Sequence, residues 1–329
     1  MGWDNKSVLV TGAGGFIGSH LTEGLVRRGA KVRAFVHYNS RADPGLLRFV
    51  DDEILDAVDI YFGEIKDPDS VRRAMNGVDV VFNLAALIGI PYSYVHPYDV
   101  VQTNLLGTLH VLLAARDFGI ERLVQTSTSE VYGSAKYVPI DEDHPLQGQS
   151  PYSASKIGSD KLAESFYLSF GLPVSTVRPF NTYGPRQSAR AVIPTIITQA
   201  LTQDAIRLGS LTPRRDFTFA RDTARGFILA AESEASVGEV VNLGNGQEIT
   251  IGELAERIRH LVGRDIPILS DDDRVRPEAS EVNRLLASNE KAARLIGWRP
   301  EVGFDQGLGE TISWIADHLE VFQVGRYAV

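Results

Sequence analysis

The run Ser7 to Thr11 (SVLVT) passes directly into TGAGGFIG, and this junction limits the fold more than any other stretch of the chain. Gly12, Gly15 and Gly18 remove side chains where a strand must turn into a helix. Phe16, Ile17, His20, Leu21, Leu25 and Val26 then recur at helical spacing. Strand, tight turn and helix in this order gather free backbone N–H groups and the positive end of a helix dipole at one point. Backbone that lacks Cβ atoms can be approached closely there by a pyrophosphate, and the flanking strand and helix are the context such a site needs. The spacing Gly-x-x-Gly-x-x-Gly is wider than the Gly-x-Gly-x-x-Gly of many dehydrogenases and points to a different branch of this fold.

The same alternation continues. KVRAFV reads as a second strand and DIYF near residue 60 as a third. Asp67 followed by Pro68 is a helix start, a capping side chain and then a ring that needs no N–H. VDVVFNLAA is a fourth, nearly all-apolar strand, as a parallel sheet covered on both faces requires. Residues 98–118 read as a long helix, ERLVQTS as a fifth strand, 152–170 as a second long helix, and LPVSTVRP as a sixth strand. The expected class is α/β, a doubly wound parallel sheet of Rossmann type. Beyond residue 180 the strand rhythm loosens. This predicts a dinucleotide-binding domain over 1–180 and a mainly substrate-binding, smaller C-terminal lobe over 181–329, with interleaved segments and a cleft at the carboxyl ends of the strands. Within that lobe Thr250 and Glu253 form a capping box ahead of a helix over 251–262, and 305–319 is helical.

Composition narrows the chemistry. The 329 residues carry a formal charge of −9, and no block of clustered Lys and Arg offers a track for nucleic acid. The absence of cysteine removes disulfides, thiol nucleophiles and Cys-based zinc sites, and fits a reducing cytosol. The apolar stretch from Val80 to Ile90 is interrupted by Asn83 and is too short to cross a bilayer. Asp4, Asn5 and Lys6 precede only a short apolar run, unlike a signal peptide. A cytoplasmic protein without a membrane partner is expected. The seven histidines show no His-Glu-x-x-His pattern and no Gly-x-Ser-x-Gly elbow occurs, so no metal site and no serine hydrolase is expected.

Two clusters carry the expected chemistry. NAD-preferring sites place an acid at the end of the second strand, but here Val36, His37 and Tyr38 occupy that region. His37 and Arg41 could instead face a 2′-phosphate, which favours NADP over NAD. Tyr152 and Lys156 lie four apart on one face at the start of a helix, so the ammonium can favour the ionised phenol. A phenolate beside a nicotinamide can take the proton of a hydroxyl while hydride leaves its carbon.

The segments TGAGGFIG, NLAA, TSTSEVYG, YSASK and RPFNTYGPR, in this order over nearly the whole chain, resemble the extended short-chain dehydrogenase/reductases that modify nucleotide sugars. The resemblance implies a tightly bound NAD or NADP. It implies Thr128 and Tyr152 near the C4 hydroxyl of the sugar, Lys156 on the nicotinamide ribose, and Asn83, Ala85, Ala86 and Asn104 lining the cofactor pocket. With the glycine turn, Phe16, Ile17, His37, Arg41, Glu64 and Ile65 complete the expected cofactor set. Asn181, Arg215 and Arg276 are implied for the substrate nucleotide and its diphosphate. The resemblance also implies a homodimer in which helices near 98–118 and 152–170 of two subunits form a four-helix bundle.

Within that family, simple 4-epimerases carry small residues where this chain has Ser129 and Glu130. A carboxylate there resembles the 4,6-dehydratases. Thr-Ser-Glu is similar to the GDP-mannose type, whereas dTDP-glucose enzymes have Asp in place of Ser129 as acid for the leaving hydroxyl. The wider context, ALIGIPYSYVHP through RPFNTYGPRQSARAVIPT, is more similar to dehydratases of legionaminic-acid pathways acting on nucleotide-linked N-acetylglucosamine, UDP- or GDP-bound. The expected reaction is a redox-neutral 4,6-dehydration giving a 4-keto-6-deoxy sugar, with Glu130 as the C5 base and Glu130 or Ser129 serving the C6 proton. UDP-glucuronate decarboxylation, with Arg190 near the carboxylate chemistry, and 4-epimerisation are the alternatives. A non-catalytic NADP-sensing regulator is the alternative of another class, though such proteins tend to lose the Tyr and Lys kept here.

Overall fold

The computed structural model describes residues 2–271 and 282–322. In the first half, β1 (Ser7–Thr11), α1 (Phe16–Val26), β2 (Lys31–His37), α2 (Asp52–Asp56), β3 (Asp59–Gly63), α3 (Pro68–Met75) and β4 (Val80–Asn83) alternate as their apolar periods require. Then come α4 (Ile90–Val95), α5 (Pro97–Val101), α6 (Gly107–Phe118), β5 (Arg122–Thr126), α7 (Pro151–Phe170) and β6 (Val174–Pro179). The second half holds β7 (Asn181–Tyr183), α8 (Val192–Thr202), β8 (Ile206–Leu208), β9 (Arg214–Phe219), α9 (Ala220–Glu232) and β10 (Val240–Leu243). It ends with β11 (Glu248–Thr250), α10 (Ile251–Val262), β12 (Ile268–Ser270), α11 (Glu290–Ile296) and α12 (Phe304–Asp317).

Seven strands form one parallel sheet in the order β10-β6-β5-β4-β1-β2-β3. Its strands are apolar because both faces are covered. On one face Leu9, Phe35, Val81 and Leu123 pack against Val111, Leu112 and Phe166 of α6 and α7. On the other, Val10, Phe82 and Val124 meet Leu21 and Leu25 of α1, Phe227 of α9, and Trp298. β1 pairs with β2 on one side and β4 on the other, so the chain reverses direction across the sheet there and opens a crevice at the carboxyl ends.

The sequence reading stops at six strands, whereas the structure adds β10, paired with β6, and α9, packed on α1. Both lie beyond residue 180 yet complete the main sheet and its cover. The other later elements enclose a separate core in which Ile197 of α8, Leu254 and Ile258 of α10 and Ile315 of α12 surround Ile206 and Phe217. Two small sheets, β11-β9-β7 and β12-β8, flank it. The long helix expected over 98–118 is α5 and α6 joined by a π turn at Gln102–Leu106. There the Asn104 carbonyl accepts the hydroxyls of Thr108 at 2.6 Å and Ser159 at 2.9 Å, which accompanies the widened turn. Among the described residues no helix is long and apolar enough to cross a membrane.

Helix starts follow the expected caps. Asp67 accepts from Asp69 N at 3.0 Å with Pro68 at the first helical position, and Ser150 with Ser153 makes a capping box just ahead of Tyr152. At α10 Glu253 N donates to Thr250 Oγ1 at 3.1 Å and Thr250 N to Glu253 Oε2 at 2.9 Å. Thr250→Ala is expected to lower unfolding stability by about 1 kcal/mol with the denaturant slope unchanged. Urea titration followed by circular dichroism checks this, and an unmoved midpoint would show that the cap contributes nothing.

Candidate active site

The glycine turn sits in the crevice between β1 and β4. Gly12 has φ +69, its N–H donates to Phe35 O at 3.0 Å, and a Cβ there would lie 2.9 Å from Ala85 N. A Cβ on Gly18 would run into the Gly12 carbonyl. Gly15 is the N-cap of α1 and makes no side-chain cap, so the first N–H groups of that helix are available to an anion. The cradle therefore fits the pyrophosphate of a dinucleotide, with Phe16 and Ile17 half-buried on its first helical turn.

The walls of the crevice are tied together below it. Thr11 Oγ1 donates to Asn83 Oδ1 at 2.7 Å and accepts from Leu84 N and Ala85 N at 3.0 and 3.1 Å. Asn83 Nδ2 reaches Gln125 Oε1 at 2.8 Å, so its amide joins β1, β4 and β5. Asn104 Oδ1 accepts from Leu87 N at 2.8 Å while its Nδ2 donates to Leu87 O and Ser155 Oγ, each at 3.0 Å. Asn83 and Asn104 thus hold the loop after β4 in shape, and Ala85 and Ala86 form its partly exposed edge. At the other end of the crevice His37 is 77% exposed, with Nδ1 3.4 Å from Glu64 Oε2, and Arg41 is exposed. Ile65 is a core residue under Gly107 whose carbonyl receives His110 Nδ1 at 3.1 Å.

The side chains expected to react come from the end of β5 and from α7. Lys156 Nζ donates to Thr126 O at 2.5 Å, Ser127 Oγ donates to Asp160 Oδ2 at 2.7 Å, and the Thr128 hydroxyl hydrogen-bonds the Tyr152 phenol. Three consecutive residues leaving β5 are therefore each fastened to α7. Ser129, buried, and Glu130, half-buried, follow in a short 3-10 turn whose first N–H is capped by Thr128, with Glu130 N donating to Thr128 Oγ1 at 3.2 Å. Burial pushes the Tyr152 phenol well above its usual range, against the pull of Thr128, and the charges of Glu130 and Asp160 push the same way. Burial lowers Lys156 to about 8, opposed by Asp160. Asp160 is thus the charge that opposes the loss of its proton.

Asp160, Ser127 and Arg178 were not singled out from the sequence. Arg178 pairs with Asp160 at 3.0 Å and donates to Tyr132 Oη at 2.9 Å. Only the four-residue step from Lys156 to Asp160 hints at this in the sequence. A cavity of about 310 Å³ bounded by α7, β6 and β10 reaches this pair and is lined also by Glu142, Glu239 and Lys291.

On the lobe side, Asn181 of β7 and Arg215 of β9 lie on adjacent strands, with Asn181 opposite Phe217. Alternation along β9 puts Arg215 on the same face as Phe217. Asn181 Oδ1 is buried without a hydrogen-bond partner. Arg190 is exposed, its guanidinium 3.4 Å from where a Cβ on Gly89 would stand, so it overhangs the loop after β4. Arg276 lies outside the described residues. Among the described residues no cluster of His, Asp or Glu could hold a metal. Gly18→Val is expected to keep the fold by circular dichroism yet lose bound dinucleotide. Chromatography of denatured protein would read this, and equal cofactor content in the variant would refute the cradle.

The family model for GDP-mannose 4,6-dehydratase matches residues 9–311. A dTDP-glucose 4,6-dehydratase from Streptomyces antibioticus is 34% identical over 95% of this chain and 93% of its own length. A UDP-N-acetyl-α-D-glucosaminuronate decarboxylase from Bacillus cytotoxicus is 32% identical over 95% of this chain and 98% of its own. The solved structure of a dTDP-glucose 4,6-dehydratase from Streptomyces venezuelae, with NAD bound, superposes with a TM-score of 0.84 at 30% identity, covering 96% of this chain and 99% of that one. Nucleotide-sugar 4-epimerases are also among the similar proteins. The chain belongs to the GDP-mannose 4,6-dehydratase family, within the nucleotide-sugar-modifying enzymes of the extended short-chain dehydrogenase/reductases.

Proposed function

We propose that this enzyme is a 4,6-dehydratase of a UDP- or GDP-linked N-acetylglucosamine, a lyase that returns its own hydride. The observation that carries the reading is Glu130 at the end of β5, close enough to Tyr152 for its charge to act on the phenol. In this reading residues 1–180 hold the cofactor, and the segment from 181 onward, apart from α9 and β10, serves the nucleotide through Asn181, Arg190, Arg215 and Arg276. A nicotinamide dinucleotide on the glycine turn, held also by His37, Arg41 and Glu64, supplies the acceptor and later donor of hydride. Tyr152 takes the proton of the C4 hydroxyl, and the Thr128 hydroxyl and the Lys156 charge stabilise the phenolate. The ketone at C4 acidifies C5–H, and Glu130 removes that proton. Glu130 then delivers it to the hydroxyl leaving C6, with Ser129 orienting the departing water. C6 would take back the hydride and C5 a proton, made good overall by the one Tyr152 took from the C4 hydroxyl, so atoms balance as loss of one water.

On the cofactor, the reading moves from the NADP favoured by the sequence to NAD, which the surroundings of His37 support. The Glu64 carboxylate beside His37 places negative charge at the joined ends of β2 and β3, where a 2′-phosphate would meet repulsion. The decarboxylase reading has its own support in Arg190 over the loop after β4, a cation available to a uronate carboxylate. A sensor without catalysis would have no use for the fastening of β5 to Tyr152 and Lys156. Incubation with UDP- and GDP-N-acetylglucosamine and UDP-glucuronate, with products weighed, is expected to show loss of water from a hexosamine nucleotide. Loss of carbon dioxide from the uronate alone would sink the dehydratase. Glu130→Gln should slow formation of the dehydrated product on the order of a hundredfold or more.

The assembly reading is a homodimer through a four-helix bundle. Its support is apolar surface on two neighbouring helical segments: Tyr98 and Leu106 on α5 and the π turn, 75% and 40% exposed, and Leu168 and Phe170 on α7, 73% and 54% exposed. Light scattering at micromolar concentration should return twice the chain mass, and a monomer there would remove the bundle.

A further inference from the structure

Of the three fastenings between β5 and α7, the one through Asp160 has no part in the chemistry above. Asp160 is 5% exposed, and its Oδ2 receives Ser127 Oγ at 2.7 Å and Arg178 Nε at 3.1 Å. Its Oδ1 is buried without a hydrogen-bond partner. A carboxylate left half-satisfied in the interior is costly. As a mere tie between α7 and β6 it would be an expensive choice, because a neutral pair could make the same connection.

Lys156 stands one helical turn before Asp160 on the same face and is 3% exposed. The charge acting on it is that of Asp160 on its own helix, while Glu130 after β5 acts on Tyr152 and Arg178 on β6 acts on Asp160. The helices on the other side of α7 direct theirs elsewhere. Tyr92 and Lys66 bond Asp99, His96 stacks on Tyr92, Tyr98 bonds Gln102, Tyr94 is exposed, His110 bonds the Ile65 carbonyl, and Arg116 pairs with Asp117. From the π turn Asn104, which is uncharged, reaches α7 through a hydrogen bond to Ser155. Asp160 is thus the carboxylate on Lys156's own helix face, and through Ser127 it also holds the residue between the two partners of the reacting pair, Thr126 and Thr128.

We infer that Asp160, set by Arg178, is a positioning residue for the buried Lys156 one turn before it on α7, and that it holds Ser127 so that the Thr126 carbonyl and Thr128 hydroxyl stay in register with Lys156 and Tyr152. The inference rests on the assignment of Tyr152 and Lys156 as the reacting pair. Part of its test needs no substrate. In protein carrying isotope-labelled lysine, the Lys156 resonance, identified by its absence in Lys156→Arg, is titrated by NMR. Asp160→Asn is expected to lower its midpoint by about one pH unit or more, while Asp160→Glu restores it.

In turnover of whichever nucleotide sugar the enzyme converts, the alkaline limb for Asp160→Asn should fall to lower pH with KM little changed. The cation that supports the phenolate is lost as pH rises through the lysine's own, now lower, pKa. An unmoved Lys156 midpoint in folded Asp160→Asn overturns the inference. Ser127→Ala keeps both charges and decides the matter if Asp160→Asn does not fold. It should lower kcat about tenfold with KM and the Lys156 midpoint unchanged, and an unchanged kcat overturns the positioning role. If no nucleotide sugar is converted at all, the proposed reaction falls while the lysine titration still reports on Asp160.

Discussion

Burying the Lys156 ammonium at the end of β5 is the constraint around which the rest of the site is arranged. A cation in the interior must be paired or lose its proton. Here the Thr126 carbonyl takes one of its hydrogens and Asp160, four residues on, supplies the opposing charge. Asp160 in turn needs Arg178, and Arg178 is shared with Tyr132, whose own oxygen bonds Asn242 at 2.8 Å. The chain of partners thus runs from α7 through β6 to β10. This gives the seventh strand a role at the site even though it lies at the sheet's edge.

The crevice on the opposite side of β4 follows a different rule. There the surface offered to the proposed dinucleotide is backbone, and side chains serve to keep it in place. The Thr11 hydroxyl and the Asn83 and Asn104 amides all spend their hydrogen bonds inside the protein, leaving bare glycine and alanine backbone toward the crevice. One half of the site therefore demands precision from charged side chains and the other from neutral amides. Neutral amides can be buried with every bond satisfied and no charge to compensate.

How far the sequence shows this depends on whether a feature is local. Six strands are legible because each is a short apolar run bounded by turn residues, and Tyr152, Lys156, Thr128 and Glu130 are legible because each belongs to a contiguous motif. β10 is four residues long, Val240–Leu243, and α9 opens on Ala-Arg-Asp-Thr, so neither declares its burial until β6 and α1 cover it. The π turn is hidden for the same reason, since one of the hydroxyls on the Asn104 carbonyl comes from Ser159 on another helix. Glu64, implied for the cofactor set only by the resemblance, has its physical reason in the register His37↔Gly63, which brings its carboxylate beside His37 just after β3, a pairing that no spacing along the chain shows.

The lobe is joined to the sheet by carboxylates that accept backbone N–H groups, and the cost shows what the joint is for. Asp216 of β9 receives Asn245 N at 2.7 Å, Gly246 N at 2.9 Å and Ala287 N at 3.1 Å, yet burial still pushes it up to about 6. A carboxyl whose folded pKa lies above its unfolded one favours the fold most when protonated, and that contribution is lost as pH rises toward and through 6. At neutral pH the ionised group therefore costs stability. It still fixes three backbone positions from two loops against the strand that carries Arg215. Asp222 does the same one helix later, accepting Glu301 N at 3.0 Å and Val302 N at 2.9 Å while its carbonyl takes the Trp298 indole N–H. Apolar packing alone would allow the lobe to slide, because it is non-directional. Directed bonds to single carboxylates hold Arg215 and Asn181 at a set distance from the end of β5, the dimension a substrate bound as proposed would have to match.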